Sequence, residues 1–474
     1  MSSSGAPDVP APNAPAPDVP ARTAAALIGW VALSVVLPGA AHLRGGWWRT
    51  GALLLGSYLT TVVCLIAIFT GADAGLAGRA LNWLTQMSLA AAVCGAAWFC
   101  LVIHSFLVLR PGTLPRGGQI VTGAVCGFLA VVVAAPFALA AQYLSVSQRT
   151  LDTVFTGDGA NGQGRDPWAG RDRVNVLLLG GDWGEGRVGV RTDSINVASV
   201  DLRTGKALLL GLPRNLEHVP FPPGSPMALR FPYGFELPES RPGWREDLLF
   251  SVWQYADDHP ELFGGRRHMG AETLKETIGY ILGIRVDWYA LVNIWGFAKI
   301  IDALGGLVLT VDRDIVFGKY DEGVVRAGTR RLSGAEALWY ARSRTYSDDY
   351  NRMRRQRCVF GALLRQADPR AVLGRFTEIA SVARRIVRTD IPRPMLEHLV
   401  PLAWKVKHAE VTSLQFVPPL ISTAYPDWER IRLLAAKAVR QSVREPDGPS
   451  HPRLRPGPTP EPASGPIDEG CGAL

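Results

Sequence analysis

The residues best suited to chemistry lie in one stretch, Ala341 to Cys358, which reads ARSRTYSDDYNRMRRQRC. Arg342 and Arg344 are two positions apart, so in extended backbone both guanidinium groups leave from the same side. From Asp349 onward the spacing predicts a helix, and at about 3.6 residues per turn Asp349, Arg352 and Gln356 share one face. Brought together, several arginines beside a carboxylate and an amide make a clamp for an anion such as a phosphate. The plainer roles are Asp348 and Asp349 capping a helix, and Arg352 to Arg357 forming a solvated basic face.

A second set of candidates lies farther upstream. VNVLLLGG reads as a strand buried on both faces, and it ends in GGDWGEGRVGVRTDS. Asp182 stands at its carboxyl edge, Asp193 opens the next strand-like run, and Arg191 lies beside it. Ligands gather at strand carboxyl ends in open α/β sheets. Two carboxylates there suit Mg2+, which commonly uses one or two carboxylates plus substrate phosphate oxygens; ending a turn is the competing role. Arg214 follows Pro213 beyond the third strand-like run and adds a cation at the same edge.

Other chemistries lack support. No histidine pair has metal-ligand spacing, and no nucleophile elbow or Walker loop is present. GDGANG at 157–162 matches GxGxxG, but it follows no strand and opens no helix, so it reads as linker. None of the six cysteines falls in a CxxC or zinc-like pattern, so neither a disulfide framework nor a structural metal site is expected. The formal net charge of +8 favours anionic partners without separating nucleic acid from lipid head groups or phosphorylated glycans.

Four apolar runs precede these candidates: Thr23 to Ala41, Thr50 to Thr70, Trp83 to Leu109 and Ile120 to Leu144. Spanning a bilayer core takes about 20 apolar residues, so three or four transmembrane helices are expected, the run interrupted by Pro38 and Gly39 being the weakest. Arg44 and Arg49 in the first link, with Arg110 and Arg116 in the third, put those links in the cytoplasm and everything after Leu144 outside. The expected divisions are an unstructured tail at 1–22, a membrane domain at 23–144 and a linker at 145–172. A soluble domain at 173–420, a helical segment at 421–444 and a disordered tail at 445–474 complete the chain.

Within 173–420, strand-like runs at Asp193 to Val200 and Lys206 to Leu212 join across DLRTG. Helices are predicted at Trp244 to Asp258, Gly270 to Leu282 and Ile294 to Leu304. SGAE at Ser333 to Glu336 predicts a capping box that opens a helix through Tyr340. Further helices are predicted around Cys358 to Gln366, Ala371 to Arg388 and Pro394 to Val406, then a strand near Leu414 to Val417. Strands alternating with helices argue for an α/β/α sandwich around a central mixed sheet, anchored by the membrane helices.

The order VNVLLLGGD, RTDS, LPRN, VDWYALVNIWGFAKIIDALGG, LSGAEALWYARSR and DDYNRMRRQ resembles the LytR-CpsA-Psr family of membrane-anchored cell-envelope enzymes, from about Arg173 to Arg365. The resemblance implies a phosphotransferase that takes a glycopolymer from a polyprenyl-pyrophosphate carrier and joins it to peptidoglycan through a phosphodiester. It implies Mg2+ held by Asp182 and Asp193, and pyrophosphate contacts from Arg191, Arg214, Arg342 and Arg344. Asp349, Arg352 and Gln356 match the motif that completes the pocket. Asn215 stands where the family usually has an aspartate, and Arg230 where a lysine is frequent. No general base is identified; Asp193 and Asp349 are the carboxylates available. Apolar residues of Trp288 to Leu309 either line a groove for the lipid or pack as ordinary core. A DNA-binding regulator, a non-catalytic carrier-lipid binding protein and a pyrophosphatase are the competing readings, and the outward topology argues against nucleic acid as partner.

Overall fold

The computed structural model describes residues 23–70, 74–155, 168, 170–184, 187–238, 245–366, 386–443 and 465–471. The chain forms two compact units, 1–72 with 85–144, and 73–84 with 145–474. The first is helical: α1 (Ala24–Val36), α2 (Ala40–Arg44), α3 (Trp48–Thr70), then, beyond α4 (Ala74–Asn82), α5 (Leu84–Val108) and most of α6 (Arg116–Val154). Three of these, α3, α5 and α6, are long and apolar enough to cross a membrane. At 13 residues α1 is short of a span, ending ahead of the Pro38–Gly39 break.

The second unit is built on a seven-stranded mixed sheet. Its strands are β1 (Arg173–Gly184), β2 (Arg187–Asp201), β3 (Ala207–Leu212), β4 (Trp288–Asn293), β9 (Val387–Thr389), β10 (Val411–Gln415) and β11 (Gly465–Pro466). Their order is β11-β10-β3-β2-β1-β4-β9. The hairpins β1–β2 and β2–β3 are antiparallel, whereas β4 lies parallel to β1 and β10 parallel to β3. Two small ribbons stand apart, β5 (Leu307–Val311) with β8 (Gly328–Leu332) and β6 (Ile315–Phe317) with β7 (Gly323–Val325).

Strand periodicity sorts the sheet's two faces. Leu177, Leu179, Ile195, Val197 and Leu291 join one large core with α7 (Pro226–Arg230), α8 (Val252–Asp258), α9 (Gly270–Leu282) and α14 (Trp428–Val443). Beyond the other face lie α10 (Ile294–Ala303), α11 (Gly334–Arg342) and α12 (Asp349–Gln366). A smaller cluster joins Leu402 of α13 (Leu396–His408) to Val174, Val200 and Ala207. Local chemistry fixes where the helices near the site begin. Asn293 caps α10 by accepting from the Trp295 and Gly296 amides, and Ser333 with Glu336 forms the expected capping box of α11. Asp348 caps α12, its carboxylate accepting from the Asn351 amide at 2.6 Å. Gly334 lets α11 touch α10, since a Cβ there would lie 1.9 Å from the Ala298 carbonyl oxygen.

Several expectations are corrected. The linker starts later than 145, because α6 continues to Val154 with Leu151 and Val154 buried. The helix expected from Trp244 begins at Val252, after a single 3₁₀ turn. Arg342 belongs to α11 rather than following it, whereas the helix expected from Asp349 onward is present and runs on through Cys358 to Gln366 as the single α12. Of the helix expected at Ala371 to Arg388, most lies outside the described residues, and Val387 and Arg388 belong to the edge strand β9. Part of the expected tail is ordered: β11 pairs with β10, and Cys471 forms a disulfide with Cys358, 113 residues away. Spacing rules for local Cys motifs miss a pair so far apart in sequence. GDGANG and the tail at 1–22 lie outside the described residues, as do 445–464.

Candidate active site

The sheet's central strands set the first part of the site. β1 and β2 pair in register up to Gly180↔Ser194 and resume at Gly181↔Thr192, which leaves Asp193 as the extra residue of a bulge. Bulges re-aim side chains, and here Asp193 ion-pairs with Arg214, just past the end of β3. Asp182 sits opposite Arg191 in the same register and faces Arg342 at 3.6 Å. The two proposed metal-binding acids therefore lie on adjacent strands, each beside a different arginine.

The second part comes from α11, α12 and the loop between them. Arg352 is buried and grips Asp349 with two hydrogen bonds, Nε to Oδ1 and Nη2 to Oδ2, both 3.0 Å. Its Nη1 donates to the Asp193 carbonyl at 2.8 Å, tying the helix to the bulge. Arg344 approaches Asp349 at 3.6 Å and Arg214 approaches it at 4.0 Å. Asp349 is thus a hub for three guanidinium groups, and Asp348 alone takes the capping role considered for both. Burial would raise the Asp349 carboxyl, but the hydrogen bond and charge of Arg352, with Arg214 and Arg344, hold it below the usual carboxylate range. Burial and the nearby Arg214 pull the Arg344 guanidinium below the usual arginine range, with Asp349 opposing.

Gln356 donates to the Ala341 carbonyl at 3.3 Å, fixing the end of α11. Arg342 and Arg344 do not act as one extended pair: they diverge across Ser343 to separate acids. All nine sequence candidates fall in this neighbourhood, with Asp182 and Arg191 at its periphery: Asp182 reaches it through Arg342, and Arg191 shares an aromatic partner with Arg214.

Arg214, Arg342, Arg344, Arg352, Gln356, Asp193 and Ser194 form the polar part of a cavity of about 220 Å³. Its remaining wall is apolar: Leu178 and Leu179 of β1, Ala290 and Val292 of β4, Ile294 and Phe297 of α10, Leu338 of α11, and Val359 and Phe360 of α12. Four residues of the Trp288 to Leu309 stretch thus line the cavity, whereas Leu291, Ile301, Leu307 and Leu309 are core.

Sequence reasoning missed three features. Phe250, 4% exposed, lies under both Arg191 and Arg214, with guanidinium carbons 4.7 and 4.9 Å from its ring centroid. Nothing in its sequence surroundings marks it. Arg355 is buried rather than part of a solvated face and donates to the Ser343 carbonyl, holding the loop that carries Arg344. Arg354, Arg357 and Arg365 bind Gly470, Glu469 and Asp468 of the carboxyl-terminal segment.

Among the described residues, no group of three or more His, Cys, Asp or Glu side chains converges. Asp182 and Asp193 still fit Mg2+ by donor chemistry: both are hard carboxylates on paired strands, and that ion commonly needs only one or two from the protein.

In this mixed-sheet α/β domain, arginines and an apolar wall line one and the same cavity. The family model described as LytR_cpsA_psr family matches residues 254–422 of the chain. The regulatory protein MsrR of Staphylococcus aureus strain COL is 29% identical over 224 residues, 46% of this chain and 57% of that protein. The polyisoprenyl-teichoic acid–peptidoglycan teichoic acid transferase TagU of Oceanobacillus iheyensis is 27% identical over 234 residues, 48% of this chain and 62% of that protein. The chain thus aligns with less than two thirds of the length of these relatives. The crystal structure of TagV from B. subtilis is 20% identical, covering 57% of this chain and 97% of that one, with a TM-score of 0.39.

Proposed function

We propose that this protein is a membrane-anchored phosphotransferase that moves a glycopolymer from a polyprenyl-pyrophosphate carrier to a peptidoglycan hydroxyl. The observation that carries this reading is the cavity itself, whose lining combines four arginines with a largely apolar wall. A diphosphate on a hydrocarbon chain has the same division of polarity: charge-assisted hydrogen bonds suit one end and apolar burial the other. The name of the TagU relative points to the same class of reaction.

In the proposed step, the acceptor hydroxyl oxygen bonds to the phosphorus next to the sugar. The bridging P–O bond breaks, and polyprenyl phosphate leaves with the electron pair while the acceptor proton passes to a base. Such transfer needs positioning and charge neutralisation more than covalent help from the protein. Arg344, the most exposed of the arginines lining the cavity, and Arg214 and Arg342 would contact the phosphates. Arg352 has three N–H groups engaged by Asp349 and Asp193, so it chiefly orders the clamp. Asp349, held low by its arginines, is a weak proton acceptor and serves as the clamp's anchor. Asp182 and Asp193 would hold Mg2+, which when bound supplies further charge neutralisation at the phosphate oxygens.

One feature supports an extracytoplasmic domain, and a second supports the link between α3 and α5 lying on the domain's side of the membrane. The Cys358–Cys471 disulfide suits an oxidising compartment. The α4 helix, between α3 and α5 in the chain, packs on α13 within the second unit: Asn82 donates to Glu397 at 3.0 Å, and Arg393 to the Leu81 carbonyl at 3.3 Å. A link and a domain on the same side are what two crossings, α5 and α6, would produce. A DNA-binding role draws no support from α12, whose outer arginines are engaged by the carboxyl-terminal segment. Incubating the purified full chain with a polyprenyl-pyrophosphate glycan, Mg2+ and peptidoglycan tests the reading. Phosphodiester product is expected; inorganic phosphate alone would mean hydrolysis, and no turnover would mean binding only.

A further inference from the structure

Phe250 stands where β2, which carries Arg191, meets the chain that leaves β3 through Arg214. Its amide donates to the Arg214 carbonyl at 3.0 Å, and its carbonyl accepts from the Thr192 hydroxyl at 3.2 Å. The residue is therefore latched to the backbone of one arginine and to the immediate neighbour of the other. Its ring lies 4.7 Å from the Arg191 guanidinium carbon and 4.9 Å from that of Arg214. An aromatic face attracts a cation through its quadrupole. Unlike a carboxylate, it neutralises no charge and takes up no N–H donor, so seating a guanidinium on it uses none of the hydrogen bonds a ligand could accept. One ring facing two arginines also offsets their mutual repulsion.

We propose that Phe250 is a positioning residue, whose ring holds Arg191 and Arg214 together so that both present their donors to one pyrophosphate. This rests on the pyrophosphate reading above. A merely structural Phe250 would need only apolar volume, and that difference makes the idea testable with the full-length protein in lipid nanodiscs.

The probe is farnesyl pyrophosphate, titrated calorimetrically into wild type, Phe250→Leu, Phe250→Met and Phe250→Tyr, with a thermal melt of each. Leucine and methionine keep apolar bulk without a ring; tyrosine keeps the ring. The expected result is about tenfold weaker binding in the two aliphatic variants, and affinity within about twofold of wild type in Phe250→Tyr. The aliphatic variant with the melt closer to wild type carries the comparison. Wild-type affinity in that variant would overturn the proposal and leave the pyrophosphate reading standing, as would an equal loss in the tyrosine variant. Failure of the wild type to bind would overturn the reading itself and the proposal with it.

Discussion

Replacing Asp349 with asparagine removes the charge on which three arginines converge while keeping the shape of the side chain. The Asp349 side chain is only 15% exposed, and Arg352 beside it 5%. Deleting one partner of a buried ion pair leaves an uncompensated charge and costs about 3–5 kcal/mol. The carboxamide oxygen of the variant still accepts one hydrogen bond from Arg352, so the lower end, about 3 kcal/mol, is expected for Asp349→Asn. The pH dependence follows from the direction of the shift. Because the folded carboxyl titrates below its unfolded value of about 3.9, its contribution is fully present above that value and disappears as pH falls through the folded one. Wild type should therefore exceed the variant by a constant margin from about pH 5 to 8, and the margin should close below about pH 4. Denaturant unfolding of both proteins across this range measures it. Equal stability at pH 7, or a margin that persists undiminished in acid, would refute the hub assignment.

Arg344→Ala removes an arginine whose side chain is 53% exposed. Transfer should fall by roughly 10²–10³-fold, with stability within about 1 kcal/mol of wild type; wild-type turnover would contradict its role. Ala290→Phe places a ring in the apolar wall and should weaken binding of long prenyl pyrophosphates far more than of inorganic pyrophosphate, as competition binding would show. Cys471→Ser opens a closure spanning 113 residues and should cost about 3 kcal/mol. Reductant should then lower the melting temperature of wild type but not of the variant.

Local chemistry in the sequence made much of the scaffold legible. The capping box at Ser333, the strand VNVLLLGG, although only one of its faces is fully buried, and the helix face of Asp349, Arg352 and Gln356 each follow from spacing that a single element imposes. What stayed hidden depends on contacts between distant segments. The arginines of α12 look alike in sequence, yet Arg355 is buried under the Ser343 loop while Arg354 and Arg357 hold a segment more than a hundred residues away. Phe250 is one apolar residue among many until β2 and β3 bring two arginines to it. The bulge at Asp193 likewise arises from how β1 and β2 pair, and neither strand encodes it alone.

The most direct test of the central claim is lipid mass spectrometry on the full-length protein purified from its membrane. If the cavity lined by arginines and apolar side chains holds a prenyl carrier, a polyprenyl phosphate or pyrophosphate should copurify at near one per protein and be depleted in Arg344→Ala and Ala290→Phe. Wild-type protein free of any polyprenyl phosphate, or a retained lipid that both variants keep, would contradict it.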